Sequence, residues 1–173
     1  MLQHFENMND NAYEFSSEVY YKKLDNLAVF ADNANVFFNM DLPVEIRNGK
    51  SDSYGLELYL KKNKGNLKGF VSYKLSKTEV DIKGVNDNKQ FPASHDRRHN
   101  LSIVGTYVVN DKWTLGSNFV YNTGRAFTLP VGKYEMDGYN LDYYTGRNQY
   151  RLPDYHRLDF SATLTSRKNK GRK

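Results

Sequence analysis

The sequence predicts an all-β chain, an antiparallel meander of about seven long strands. Three observations carry that prediction. Apolar and polar residues alternate with a period of two in run after run, and helical periodicity is hard to find. The runs approach the ~9 to 11 residues of a membrane-spanning strand rather than the ~5 to 6 of an average soluble one. Short turns alternate with long polar loops, the parity of a transmembrane barrel that keeps turns at one end and loops at the other.

Residues 1–6 read as the end of one strand, followed by a turn near 7–11. Next, Phe15, Ser17, Val19 and Tyr21 oppose Glu14, Ser16, Glu18, Tyr20 and Lys22 in a strand expected to extend to about Phe30. A long loop is expected over 32–50. Then Tyr54, Leu56, Leu58 and Leu60 share one face against Gly55, Glu57, Tyr59 and Lys61. After the turn at 63–66, Leu67, Gly69, Val71, Tyr73 and Leu75 oppose Lys68, Phe70, Ser72, Lys74 and Ser76, so these two runs read as a hairpin. A second long loop is expected over 79–96. Leu101, Ile103, Gly105 and Tyr107 form the next face, and the short turn at 110–112 leads into Trp113, Leu115, Ser117, Phe119 and Tyr121. The third long loop spans 124–153, and Leu158, Phe160, Ala162 and Leu164 close the pattern against Arg157, Asp159, Ser161 and Thr163.

The charged and hydroxyl residues on the second face suit a hydrated lumen and would be costly in a dry core. Tyr21, Tyr54, Trp113, Tyr121 and Tyr155 fall near strand ends, where they would form a membrane girdle or, alternatively, ordinary cross-strand aromatic packing.

Composition narrows the function classes. The mean hydropathy is strongly polar, yet 14 Tyr and 10 Phe are too many for a disordered chain. The net charge of +5 sits in the tail: five of the 25 basic residues lie in the last seven positions, leaving 20 basic against 20 acidic in the body. A basic nucleic-acid-binding face is therefore not expected, and no nucleic-acid partner is inferred. Cysteine is absent, which excludes disulfide scaffolds, zinc fingers and cysteine nucleophiles. No apolar run reaches the ~18 residues of a transmembrane helix. The start, MLQHFENMND, reads as no signal peptide. No phosphate loop, dinucleotide fingerprint, HExxH or catalytic-triad pattern appears, so no enzyme and no cofactor are expected.

With strands and loops placed, the chain resembles the C-terminal barrel portion of a TonB-dependent outer-membrane receptor of the kind common in Bacteroidetes. The stretches that carry the resemblance are EFSSEVYYKKLDNL (14–27), SYGLELYLKKNKGNLKGFVSYKLSKTE (53–79), FPASHDRRHNLSIVGTY (91–107), WTLGSNFVYNTGRAFTLPVGKY (113–134) and YRLPDYHRLDFSAT (150–163). The ordered pair DRRHNLS and YHRLDFSA is the most specific part. The resemblance implies a 22-stranded transmembrane barrel closed by a plug, which imports a nutrient with energy passed through TonB. The substrate classes it implies are chelated metals, glycans or peptides. Its implied partners are outer-membrane lipid, the TonB system acting through the missing plug, and a surface lipoprotein. The chain is expected to be an incomplete piece of such a barrel: residues 1–166 a partial barrel, 167–173 a basic turn or tail. A piece of about seven strands cannot close, so it is expected not to transport alone.

Within this reading, the loop from Thr123 to Pro153 is the candidate for ligand contact. Arg125, Tyr134, Tyr139, Tyr143, Tyr144, Arg147 and Tyr150 are its candidate residues, because exposed Tyr and Arg recognise sugars, peptides and chelates by stacking and hydrogen bonds. Arg98, Arg157 and Asp159 are candidate lumen ion-pair residues, with Arg157 and Asp159 on one strand face and near Arg98. His95 and His99 would share a strand face, but Arg97 and Arg98 between them would repel a cation, and no metal site is expected. The competing reading is a small soluble antiparallel β-sheet that binds a ligand, with Leu56, Leu58, Ile103 and Phe160 in a dry interior. A third is a structural or adhesive surface β-protein.

Overall fold

A computed structural model describes residues 1–32 and 45–165; the basic tail predicted over 167–173 and the boundary after 166 lie outside the described residues. In chain order the strands are β1 (Leu2–Met8), β2 (Tyr13–Phe30), β3 (Ile46–Lys62), β4 (Leu67–Ile82), β5 (Phe91–Pro92), β6 (His99–Val108), β7 (Trp113–Asn122), β8 (Ala126–Phe127), β9 (Gly132–Met136), β10 (Tyr139–Tyr143), β11 (Tyr150–Arg151) and β12 (Tyr155–Leu164). Seven of them form one antiparallel meander, β1-β2-β3-β4-β6-β7-β12, and β5 pairs with the far end of β4. A short 3-10 turn lies at Asn86–Asn88.

The alternating connections stand as predicted. β1 and β2 are joined through Asn9, Asp10 and Asn11, all at left-handed φ near 50–60°, which Asn and Asp tolerate better than other side chains. Short turns also join β3 to β4 and β6 to β7. The long connections gather at the opposite end.

Two loop boundaries differ from expectation. β3 begins at Ile46 and β4 runs to Ile82, so the last five residues of the loop expected over 32–50 and the first four of the loop expected over 79–96 are strand. At ~3.3 Å per residue these strands of 16 to 18 residues are far longer than a bilayer requires. Their outer parts lack the apolar alternation that marks a spanning segment, so they read as loop. The loop expected over 124–153 also contains two small ladders, β8 with β11 and β9 with β10.

Register sets the faces, because directly paired residues point to the same side. Val19, Leu56 and Leu75 align in one row, and Leu101, Tyr121 and His156 in another. Ile103, Phe119 and Leu158 form a third. No second layer covers this apolar face among the described residues: Ile103 is 39% and Phe160 78% exposed. The dry interior required by the soluble-sheet reading is not formed.

The apolar face has clear margins. Tyr13 and Tyr21 lie eight residues apart on β2, and Trp113 and Tyr121 eight apart on β7. Eight residues span ~26 Å along a strand, or ~20 Å vertically at a typical barrel tilt, close to the ~25 Å apolar band of a membrane barrel. Above the paired Tyr21 and Tyr54 the same face turns charged: Lys23 pairs in register with Asp52, Asp52 with Glu79, and Lys50 with Asp81. Tyr155 departs from the girdle reading. It pairs with Asn122 and shares the polar face of β12 with Arg157.

The opposite face carries Glu14 3.5 Å from Lys61 and Glu57 2.6 Å from Lys74. Tyr20 lies buried there across Gly55, where a Cβ would meet the ring 2.9 Å away. A bulge between Leu24 and Leu27, with Asn26 at φ 62°, changes the parity of β2. Leu27 and Val29 therefore turn onto the polar side. They pack against the small core of Val80, Ile82, Val85, Phe91 and Ala93, which sits at the long-loop end.

Candidate functional site at the long-loop end

Three long connections meet above the extended strands, and two arginine clasps hold them together. The Arg147 Nε donates to Asp32 Oδ1, and its Nη2 to the Phe30 carbonyl at 2.7 Å. Asn86 completes the first clasp: its backbone N donates to Asp32 Oδ2, and its Oδ1 accepts from the Arg147 backbone N. The β2 end, the β4–β6 connection and the β7–β12 connection are thereby joined at one point. Asn148 extends the joint by donating to the Pro92 carbonyl.

The second clasp centres on Asp96, whose side chain is 1% exposed. Its Oδ1 accepts from the Thr78 backbone N, and Arg151 reaches both its Oδ2 and its carbonyl. Arg151 also donates to the Gly124 carbonyl. A charge this buried is tolerated because these donors and Arg98, 3.5 Å away, compensate it.

These partners sort the predicted ligand-contact residues. Arg147 serves the clasp through its Nε and Nη2. Tyr150 packs its ring 6.3 Å from Phe127. Arg125 is exposed beside the junction of β7 and β12. Tyr134, Tyr139 and Tyr143 lie on the β9–β10 hairpin, 48%, 72% and 54% exposed, and Tyr144 follows it. Register places Tyr134 opposite Leu141 and Met136 opposite Tyr139, so these four and Tyr143 share one uncovered face. Lys133, Glu135, Asn140 and Asp142 form the other. The turn at Asp137 and Gly138 has φ 52° and 80°, the left-handed pair that a two-residue hairpin needs.

The lumen ion-pair candidates are not brought together as one ladder. Arg157 lies 2.9 Å from Asp159 on its own strand, whereas Arg98 turns to Asp96. β7 separates their strands. His95 lies in a turn before β6 rather than on a strand with His99, so the shared face expected for them is not formed. His99 instead contacts the Tyr73 hydroxyl at 2.8 Å. No three metal-ligating side chains cluster among the described residues.

Asp154 ties the base of the loop to the sheet. The Tyr121 hydroxyl donates to its Oδ2 and the Gly124 N to its Oδ1. The Tyr121 hydrogen bond first, then the Gly124 amide and the nearby His99, hold the Asp154 carboxyl below its ordinary value. A depressed carboxylate contributes stability that is complete above the ordinary carboxylate range and is lost as pH falls through its folded value. Hydrogen-exchange protection of the backbone around Gly124 and Asp154, taken relative to the intrinsic rate at each pH, should therefore fall on acidification below that range. Asp154→Asn should be less protected at neutral pH, and its protection should change little with pH.

The family model for the TonB dependent receptor-like β-barrel matches residues 5–170. The chain belongs to this family. No curated protein and no solved structure matches the chain. For a TonB-dependent receptor barrel, the uncovered apolar face is the lipid-facing wall, the polar face is the lumen side, and the compartment is the outer membrane. The unclosed meander of long strands agrees with a partial barrel of this kind. Receptors of this family are transporters working with the TonB system, not enzymes.

Tyr13, a margin residue of the apolar face, is legible in the sequence from its spacing of eight residues before Tyr21.

Proposed function

We propose that this chain forms part of the wall and ligand-selecting loops of an outer-membrane receptor that imports a scarce nutrient, a chelated metal, a glycan or a peptide. The observation that carries the reading is the uncovered face of the β9–β10 hairpin, where Tyr134, Tyr139 and Tyr143 stand exposed at the long-loop end. Tyrosine supplies a broad stacking surface and a hydroxyl at low entropic cost, which suits all three classes. Arg125 and Tyr144 extend the contact surface, and Arg147 and Tyr150 shape it.

β1 and β12 each have only one paired neighbour among the described residues. An open sheet edge is not sustainable in hydrocarbon, so transport belongs to a closed barrel to which these strands contribute, with residues 1–166 as its partial wall. The same reading places the receptor in the type common in Bacteroidetes, with TonB acting through a plug and a surface lipoprotein above the loops.

The test replaces Tyr134, Tyr139 and Tyr143 together with serine in the cell that carries the receptor. The expected result is loss of growth on one of the three nutrient classes with surface exposure of the protein retained. Unchanged growth on every class at equal exposure would overturn the assignment to these loops.

A further inference from the structure

Below the arginine clasps the lumen side holds a recess of ≈ 520 Å³, within the size range of small-molecule sites. Its walls are apolar: Leu24, Leu27, Val29, Val80 and Phe91. Three of these face inward only because of the bulge in β2 or because β4 extends beyond the membrane zone. The hydroxyls of its floor are already satisfied. Ser53 and Thr78 bond each other at 2.9 Å, and Ser51 donates to the Glu79 carbonyl. They present little that a ligand must match.

The charge around the recess is one-sided. No carboxylate lines it among the described residues. The nearest acids are engaged: Asp32 by Arg147 and Asp96 by Arg151. At the mouth, Lys22 makes a cation–π contact with Tyr20, 5.5 Å from the ring centroid, and no ion pair among the described residues; His95 is exposed. An apolar cavity that offers a lysine, an imidazole and the Ser94 hydroxyl at its mouth, beside the clasped Arg147, selects for an apolar body carrying one anionic group.

We infer that this recess is a binding site for a small amphiphilic anion, its apolar body against Val29, Val80 and Phe91 and its carboxylate-type group at Lys22 and His95. The site is separate from the tyrosine hairpin and does not depend on the hairpin's role.

Two water-soluble probes of equal shape test it by fluorine NMR against the closed receptor barrel that carries this chain, in lipid nanodiscs, with empty nanodiscs as the reference. The probes are 4-(trifluoromethyl)benzoate and neutral 4-(trifluoromethyl)benzyl alcohol. Saturable broadening of the benzoate beyond the empty-disc level is expected, with weaker binding of the alcohol. Lys22→Gln should weaken the benzoate about fivefold and leave the alcohol unchanged, the size of one charge contact near a surface. Ser94→Trp, at an exposed position on the rim, should weaken both while leaving the β-sheet circular dichroism intact. Broadening no greater than with empty discs, equal affinity for the two probes, or indifference to both variants at intact fold would each overturn the proposal. None of these outcomes bears on the nutrient dependence of the tyrosine variants.

Discussion

Replacing Leu58 with arginine is expected to prevent stable insertion into a bilayer of the closed barrel to which this chain contributes. Leu58 lies midway between Tyr54 and Lys62 on β3, and pairs in register with Ser17 and Tyr73 on the lipid-facing side. A charged side chain at the bilayer midplane of a barrel costs ~2–4 kcal/mol. That is a large share of the stability of a marginal sheet. The matched control is Ser72→Arg, which pairs with Tyr59 on the opposite face and meets water in the lumen. The yield of protein that floats with lipid vesicles after refolding should fall steeply for Leu58→Arg and little for Ser72→Arg. Equal yields would count against the assignment of faces.

Asp96→Ala should release the long loops without unfolding the sheet. It removes the acceptor of the Thr78 amide and leaves Arg151 without its carboxylate. Breaking a fully buried ion pair costs about 3–5 kcal/mol. Arg151 retains about one-third of its side-chain exposure, so a loss of about 2–3 kcal/mol is expected here. Limited proteolysis should then cut at Lys133 and Arg147 at protease concentrations that leave the parent chain intact. Arg157→Ala breaks a pair that is exposed on both sides and should change cleavage hardly at all. Identical cleavage of the parent and Asp96→Ala would contradict the clasp.

The difference between these two carboxylates shows what the sequence could and could not reveal. Arg157 and Asp159 alternate with Leu158 and Phe160, so their face follows from a period of two. Asp96 sits in the run His95-Asp96-Arg97-Arg98-His99, where any of four bases could be its partner. Its actual partner, Arg151, lies 55 residues away and is set by how the long connections return over the sheet. Local pattern carries no information about that. The pairing of Arg147 is hidden for the same reason: a loop arginine looks free until its carboxylate, Asp32, is brought to it from 115 residues away.

The strands themselves were legible wherever one face meets an apolar phase. Val71, Tyr73 and Leu75 announce themselves, and so do Leu158, Phe160 and Ala162. The pattern fails where β3 and β4 rise above that phase, because Asp52, Glu79 and Asp81 then occupy the outward positions. It fails again at Asn26, where one bulge turns Leu27 and Val29 inward against their apparent parity. The β9–β10 hairpin was legible in principle. Asp137-Gly138 between alternating Tyr, Met and Leu is a strong short-range hairpin signal, but it lay within a stretch read as one loop.

The central claim is that one face of this sheet meets lipid and the other meets water. Adjacent residues on β6 test it most directly, and the absence of cysteine makes single-site labelling straightforward. Ile103→Cys and Val104→Cys, each carrying a nitroxide, would be compared within the closed barrel in bilayers for collision with oxygen and with a water-soluble nickel complex. Ile103 pairs with Val71 and Phe119, so its label should be open to oxygen and shielded from nickel. Val104 pairs with Phe70 and Asn118, and its label should show the reverse. The same accessibility at both positions, or the opposite order, would contradict the account.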